Sequence, residues 1–540
     1  MSKLALWLEI SLLFLSLAAT AIWTGCGTSA SRQPVASVQV GSSNSLDVLT
    51  WHSDNLRTGQ NTNETSLTPA NVNVNTFGKK FTLPVDGYVY AQPLVATQQN
   101  IAGGLHNVVY VATAHDSVYA FDADGTTTTP YWKTSFIDPV NGIIPVPGAD
   151  VTVGDEWGVI GTPVIDRSRN AIFVVSRVKN TKDGTYHQHF HALDLSTGAE
   201  KSGSPVEISA CVSGTGNASS KGQVCFDPLY ENNRVSLALV NNVVYAGWAS
   251  LNDYGPYHGW VIGFDADTLH LVVAFNSTPN GDDGGYWMSG AAPGVESDGS
   301  LLLVSGNGDF DPGDGDYGES VVHLSKSGAQ LNVIDYFTPS NWAALEPPDL
   351  DFGSGGLLML PDNNSGHPHE LLVAGKEGRL FLLDRDNLGK FHSGSNQVVQ
   401  EIAGAFPGGL FATGAYWNGN VYFVGNADVI RQFSWSNGLI STTPAAVGGA
   451  KYSFPGATPA VSSNGSTNGI VWTVERTDAT SNKAVLHAYD ATNVSKELYN
   501  STQNSTRDNA GLAVKFVVPT VTNGKVYVGT IYNVVVYGLQ

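Results

Sequence analysis

Beyond an apolar opening stretch, hydrophobic positions fall in short runs of about five residues that alternate or stay apolar and stop at Gly, Asn or Asp. One phrase keeps returning. A small-residue or Pro segment enters an apolar strand, a second strand of the VVYV kind follows, and a third often ends in aromatic-Asp or Leu-Asp. The clearest copy is NVVYVAT at 107–113, then SVYAFD at 117–122 and Trp132. Further copies begin with the second-strand segments 171–175, 243–248, 301–305, 370–374, 420–424, 469–474 and 525–529. Each unit is near the size of a four-stranded antiparallel sheet, so the chain is expected to be an all-β, eight-bladed β-propeller. A seven-bladed ring stays open if one unit is irregular. The last unit ends at Gln540, too soon for an outer strand of its own. Residues 77–83 are expected to supply that strand and close the ring, removing two exposed sheet edges.

Composition agrees with strands. Charged residues are 14% of the 540, with 60 Gly, 25 Pro and 42% hydrophobic residues, and the helix-forming Glu/Lys/Ala/Leu bias is missing. The formal net charge of −20 speaks against nucleic acid as a partner. No basic cluster suggests an anionic membrane surface.

The N-terminus carries targeting chemistry. Lys3 precedes an apolar stretch from Leu4 to Trp23, ending at Thr24-Gly25-Cys26-Gly27. Residues 1–26 read as a signal peptide, with Gly-Cys resembling a bacterial lipobox that makes Cys26 the lipidated residue; a single N-terminal membrane helix is the alternative. Residues 27–48 read as a flexible linker and 49–540 as one propeller domain. The protein is therefore expected to be exported, periplasmic or on the cell surface, touching the membrane only through its N-terminus. Cys211 and Cys225, separated by a Gly/Ser-rich segment, are expected to close a disulfide loop.

Other clusters invite a metal reading beside a plainer one. The acidic run from Asp309 to Asp316 is either a calcium-binding loop or a solvated one. His187, His189 and His191 share one strand face, and His367 with His369 repeats the pattern, as metal ligands or as polar faces.

The VYAFD phrase followed by Trp resembles the repeat of pyrroloquinoline quinone (PQQ) propellers, of the quinoprotein alcohol dehydrogenase-like superfamily. The opening WHSDNLRTG at 51–59 with Leu67-Thr-Pro69 looks like the start of that superfamily. The resemblance extends to GGYW at 284–287, SGNG at 305–308, DLDF at 349–352 and GKEG at 375–378. It implies that Trp287 forms the floor under the quinone, Asn307 binds calcium, Asp351 is the catalytic base and Lys376 contacts the quinone. PQQ and Ca2+ are the cofactors it implies, acting on an alcohol or sugar hydroxyl. An ortho-quinone needs a flat aromatic face, a divalent ion and a base for the substrate hydroxyl, so the residue types suit the chemistry. There are departures. The family's acidic calcium ligand aligns with Tyr254, leaving Asp253 as the nearest carboxylate, and the adjacent Cys-Cys pair is missing. The competing expectation is a non-catalytic, lipid-anchored propeller that binds a protein or glycan.

Overall fold

A computed structural model of the chain describes residues 46–151, 156–478 and 480–540. The expected signal peptide, Cys26 and residues 27–45 of the expected linker lie outside them. The described end of the linker, residues 46–48, bonds to the propeller. The Leu46 carbonyl accepts from Thr522, Asp47 accepts the Thr97 N–H at 2.7 Å, and Val48 bridges Val95.

The strands form eight blades, and helix among the described residues amounts to short 3-10 pieces and one turn, Ser505–Asp508. Blade 1 is built from Leu94–Ile101, Gly104–Thr113, Ser117–Asp122 and Trp132–Ser135, in that order from the axis outward. Blade 3 has Asn232–Val240 innermost, then Val243–Ala249, Trp260–Asp265 and Leu271–Asn276. Blade 4 starts with Gly294–Val295 and Leu301–Val304, and blade 5 with Leu358–Met359 and Glu370–Ala374. Blade 8 joins the chain ends. Phe77–Tyr88 pairs antiparallel with the last strand, Phe77 opposite Leu539 and Leu83 opposite Val534, so the N-terminal segment supplies the outer strand as expected.

The recurring sequence phrase has a physical cause. Strands such as Ser117–Asp122 are buried along their whole length because each blade is covered on both faces by its neighbours. Val108, Tyr110 and Trp132 of blade 1 pack against Ile172, Val174 and Leu193 of blade 2 (Val164–Asp166, Ala171–Asn180 and Tyr186–Asp194), while Val109, Val111 and Phe121 pack against Tyr527 and Val534 of blade 8. The terminal Asp of the third strand turns the chain toward the outer strand by accepting backbone N–H groups two or three residues on. Asp122 accepts from Asp124 at 2.7 Å, Asp194 from Ser196 at 2.9 Å and Asp265 from Thr268 at 2.8 Å. The Tyr of VVYV ties blade to blade. Tyr110 donates to the Leu195 carbonyl at 3.1 Å, Tyr422 to Ala491 at 2.6 Å and Tyr527 to Ala123 at 2.9 Å. The acceptors directly follow Asp194, Asp490 and Asp122, and Asp490 makes the same turn by accepting the Thr492 N–H at 3.0 Å, so one motif member serves the turn and another reads it from the adjacent blade.

Cys211 and Cys225 face each other across the hairpin Cys211–Ser213/Gln223–Cys225 and form the expected disulfide. The histidine stripe does share a face, with His187 and His189 rings 6.1 Å apart, but its members are tied separately. His187 bonds Glu207 and His191 bonds Glu200, both at 2.7 Å. His367 and His369 likewise face different carboxylates, Asp384 and Asp386. In the acidic run, Asp309 and Asp316 accept the backbone N–H groups of Asp282 and Asn280. Among the described residues no group of three His, Cys, Asp or Glu side chains is placed to hold a metal ion.

Candidate active site

Loops that leave a blade's second strand and loops that enter an innermost strand emerge on the same face of the ring. Asp253 follows the second strand of blade 3, Asn307 that of blade 4 and Lys376 that of blade 5. Trp287 and Asp351 lie before the innermost strands of blades 4 and 5. The fold thus brings together positions separated in sequence by a hundred residues and more.

Asp351 is the hub. It is buried, its Oδ1 accepts the Asn307 backbone N–H at 2.8 Å, and its Oδ2 pairs with the Lys376 ammonium. Lys376 also pairs with Asp349, whose Oδ1 accepts the Asn307 side-chain amide at 3.3 Å. The Trp287 indole passes beside Gly306, the residue between Asp351 and that ring: a Cβ there would fall 2.4 Å from Asp351 Oδ1 and 2.7 Å from Trp287 Cδ1. Tyr257 meets the Trp287 ring edge-on at 6.2 Å and donates its hydroxyl to Asp253 Oδ1 at 3.1 Å. All five sequence-derived positions therefore belong to one connected cluster, with Asp253 at its solvent edge.

Two members were not visible in the sequence. Asp349 shares Lys376 with Asp351. Glu319, fully buried, accepts the Phe352 N–H at 2.6 Å through Oε2 and so fixes the residue after Asp351. It stands as one Glu between Gly318 and Ser320, without spacing or a motif to mark it.

Carboxyls outnumber cations here, and the electrostatics follow. Burial pushes Asp351 above the usual carboxylate range, against the pull of Lys376 and the Asn307 N–H. Burial would lower Lys376, but Asp351 and Asp349 outweigh it and raise the ammonium. Burial and then the Asp351 charge raise Asp253, while burial, Asp282 and Asp253 push Asp283 up to about 7. Burial and Asp351 likewise hold Glu319 well above its ordinary value.

Asp283 gives a pH prediction. A carboxyl raised on folding contributes stability that is full below its unfolded pKa of 3.8 and is lost as pH rises through about 7. Asp283→Asn, which tolerates the left-handed φ of 56°, is expected to stabilise the protein by ~1 kcal/mol at pH 8 after allowance for solvent screening, and not at pH 4. Urea unfolding midpoints at the two pH values check this; an equal gain at both refutes it.

Some buried atoms in the cluster lack a partner: Asn307 Oδ1, Trp287 Nε1 and Glu319 Oε1 form no hydrogen bond. The unpaired Asn307 carbonyl suits a hard divalent cation, which takes neutral as well as anionic oxygens. The half-buried Trp287 indole is the kind of flat surface a planar ring system stacks on. The protein's own oxygens do not complete a coordination shell, so the residues fit a cation only together with a cofactor or waters that supply the remaining ligands.

No family model and no curated protein matches the sequence. Solved structures do match. A quinohemoprotein alcohol dehydrogenase from Comamonas testosteroni superposes with a TM-score of 0.57 at 15% identity, covering 92% of this chain and 81% of that one. A second, from Pseudomonas putida HK5, gives 0.57 at 14% identity, covering 91% and 80%. A europium-containing methanol dehydrogenase gives 0.58 at 13% identity, covering 91% and 98%. At these identities the likeness establishes a shared eight-bladed fold.

Proposed function

We propose that the protein is a quinoprotein-type oxidoreductase that uses PQQ and a divalent cation, calcium in the first instance, to oxidise an alcohol or sugar hydroxyl. One observation carries the reading: Trp287, Asn307, Asp351 and Lys376 meet in a single cluster in which the Asn307 Oδ1 is buried and unpaired. The fold shared with dehydrogenases of that class supports it.

In this reading Trp287 stacks beneath the quinone, Lys376 contacts it, and Asn307 Oδ1 holds the cation, with Asp253 as the candidate carboxylate ligand. When bound, the quinone and ion supply a polarised two-electron acceptor. The chain supplies the rest. Burial raises the proton affinity of Asp351, fitting it to accept the hydroxyl proton, while the Asn307 N–H and Lys376 fix the orientation of its carboxylate. Lys376 keeps the local charge tolerable by neutralising Asp349 and Asp351 in turn.

The test is calorimetric titration of the chain without its first 26 residues with PQQ, with and without calcium. Micromolar or tighter binding that needs calcium and is lost in Asn307→Ala is the expected result. No binding in either condition overturns it. The second reading, a non-catalytic scaffold for a protein or glycan, is favoured by one observation: both Asp351 oxygens already have partners within the chain. The same titration separates the two.

Export to the cell envelope, with Cys26 as a lipid anchor, belongs to the same proposal. The Cys211–Cys225 disulfide supports an oxidising compartment. Mass spectrometry of the N-terminus of protein from its native cells tests the anchor.

A further inference from the structure

On a chain of net charge −20, three cations stand together without a counter-charge. Arg234, at the entry to the innermost strand of blade 3, lies 4.3 Å over the Phe516 ring, and its Nε is buried without a hydrogen-bond partner. Arg476, ending Thr467–Arg476, the second strand of blade 7 (Ala460–Asn464, Thr467–Arg476 and Ala484–Asp490), donates to neutral oxygens, Asn482 Oδ1 at 2.7 Å and the Phe454 carbonyl at 3.1 Å. Lys515 sits 5.3 Å over the Phe454 ring. Among the described residues none of the three pairs with a carboxylate. Their mutual repulsion is felt: burial, then Arg476 and Arg234, lower Lys515, and burial lowers Arg234 to about 10.

Arg476 lines one and Arg234 the other of two narrow adjoining clefts that share Phe516 as a wall, and Lys515 stands beside them over the Phe454 ring. Phe516 has a φ of 64°, a left-handed conformation that a bulky residue adopts only when its surroundings force it. Its ring is thereby held between Arg234 and Phe454, 6.3 Å from the latter. The clefts adjoin the candidate active site. Phe411, lining one of them, meets Phe454 at 5.1 Å and lies 6.0 Å from the Lys376 ammonium. Ser289, lining the other, follows Trp287 by two residues.

A guanidinium shielded from water and left unpaired favours an oxyanion, and carboxylates match its fork geometry. Aromatic walls favour a flat apolar body. We propose that this cleft binds a small aromatic carboxylate and that the substrate of the adjoining centre is an alcohol carrying such a group. The second clause rests on the reading of that centre as hydroxyl-oxidising; the first stands without it.

The experiment titrates para-hydroxymethylbenzoate, benzyl alcohol and inorganic phosphate into the quinone-free protein, then assays both alcohols after loading with PQQ and calcium. Para-hydroxymethylbenzoate is expected to bind, benzyl alcohol and phosphate to bind at least roughly 10-fold more weakly, and Arg234→Gln and Lys515→Gln each to weaken the carboxylate by roughly 10-fold. Lys515 is exposed, so its variant keeps the test valid if Arg234→Gln does not fold. Equal affinity for the carboxylate and benzyl alcohol, equal affinity for phosphate, or indifference to Lys515→Gln overturns the cleft assignment. Carboxylate binding without turnover upholds the cleft and removes the oxidising centre; turnover that ignores the carboxylate upholds the centre and removes the cleft.

Discussion

Asp351→Asn is expected to slow hydroxyl oxidation by roughly 1,000-fold while leaving quinone binding within a few-fold of wild type. The substitution is nearly isosteric. The amide oxygen can still accept the Asn307 N–H, bonded at 2.8 Å in the wild type, and Lys376 keeps Asp349 as its partner. What disappears is the charge of the buried carboxylate that Lys376 and the Asn307 N–H hold in place. Its pH signature separates the loss of a base from a structural lesion. Burial raises Asp351, so wild-type turnover should climb with pH as the carboxylate ionises above its ordinary range. The variant's residual rate should be flat over the same interval. Quinone-loaded protein, assayed for kcat across pH alongside a calorimetric quinone titration, gives both readouts. A variant that keeps the wild-type rate, or the rising limb of the profile, removes Asp351 from the base role.

The fold was legible because the repeat is made of residues with local duties. Asp122, Asp194 and Asp265 each end a strand by accepting N–H groups from the following turn, so they recur at one place in the phrase. Fully buried strands leave continuous apolar runs, and these counted the blades. The inter-blade hydrogen bonds of Tyr110, Tyr422 and Tyr527 were in the phrase too, but their acceptors are backbone carbonyls and carry no letter in the sequence. Five candidate residues were found through a resemblance and not through spacing, since loops from neighbouring blades meet only after the ring closes. Glu319 and Asp349 escaped for that reason, and so did the Arg234, Arg476 and Lys515 cleft, drawn from blade 3 on one side and the region of blades 7 and 8 on the other. Where letters did cluster, the cluster misled. The acidic run from Asp309 to Asp316 engages neighbouring backbone, and the histidines of one strand face each have their own acid or none.

Gly306→Ala is expected to injure stability and site together, at ~1–3 kcal/mol of folding free energy and a loss of activity on the order of 100-fold. The added Cβ would lie 2.4 Å from Asp351 Oδ1 and 2.7 Å from Trp287 Cδ1, distances at which something must move. The backbone of residue 306 has little freedom to do so. Its N–H donates to Gly285 at 2.9 Å and its carbonyl accepts from Glu319 at 2.8 Å. Asp351 is held at both oxygens, and Tyr257 abuts the Trp287 ring. The methyl group can therefore be admitted only by driving the carboxylate and the indole apart, which are the two surfaces a quinone and its substrate would have to share. Gly366→Ala is the control, because a Cβ at that position meets nothing within 4 Å. Thermal midpoints of both variants, with quinone affinity measured in parallel, decide the matter. A Gly306→Ala protein as stable as the control, and binding quinone equally well, means that Asp351 and Trp287 do not form one rigid unit. In that case their proximity says nothing about a shared ligand.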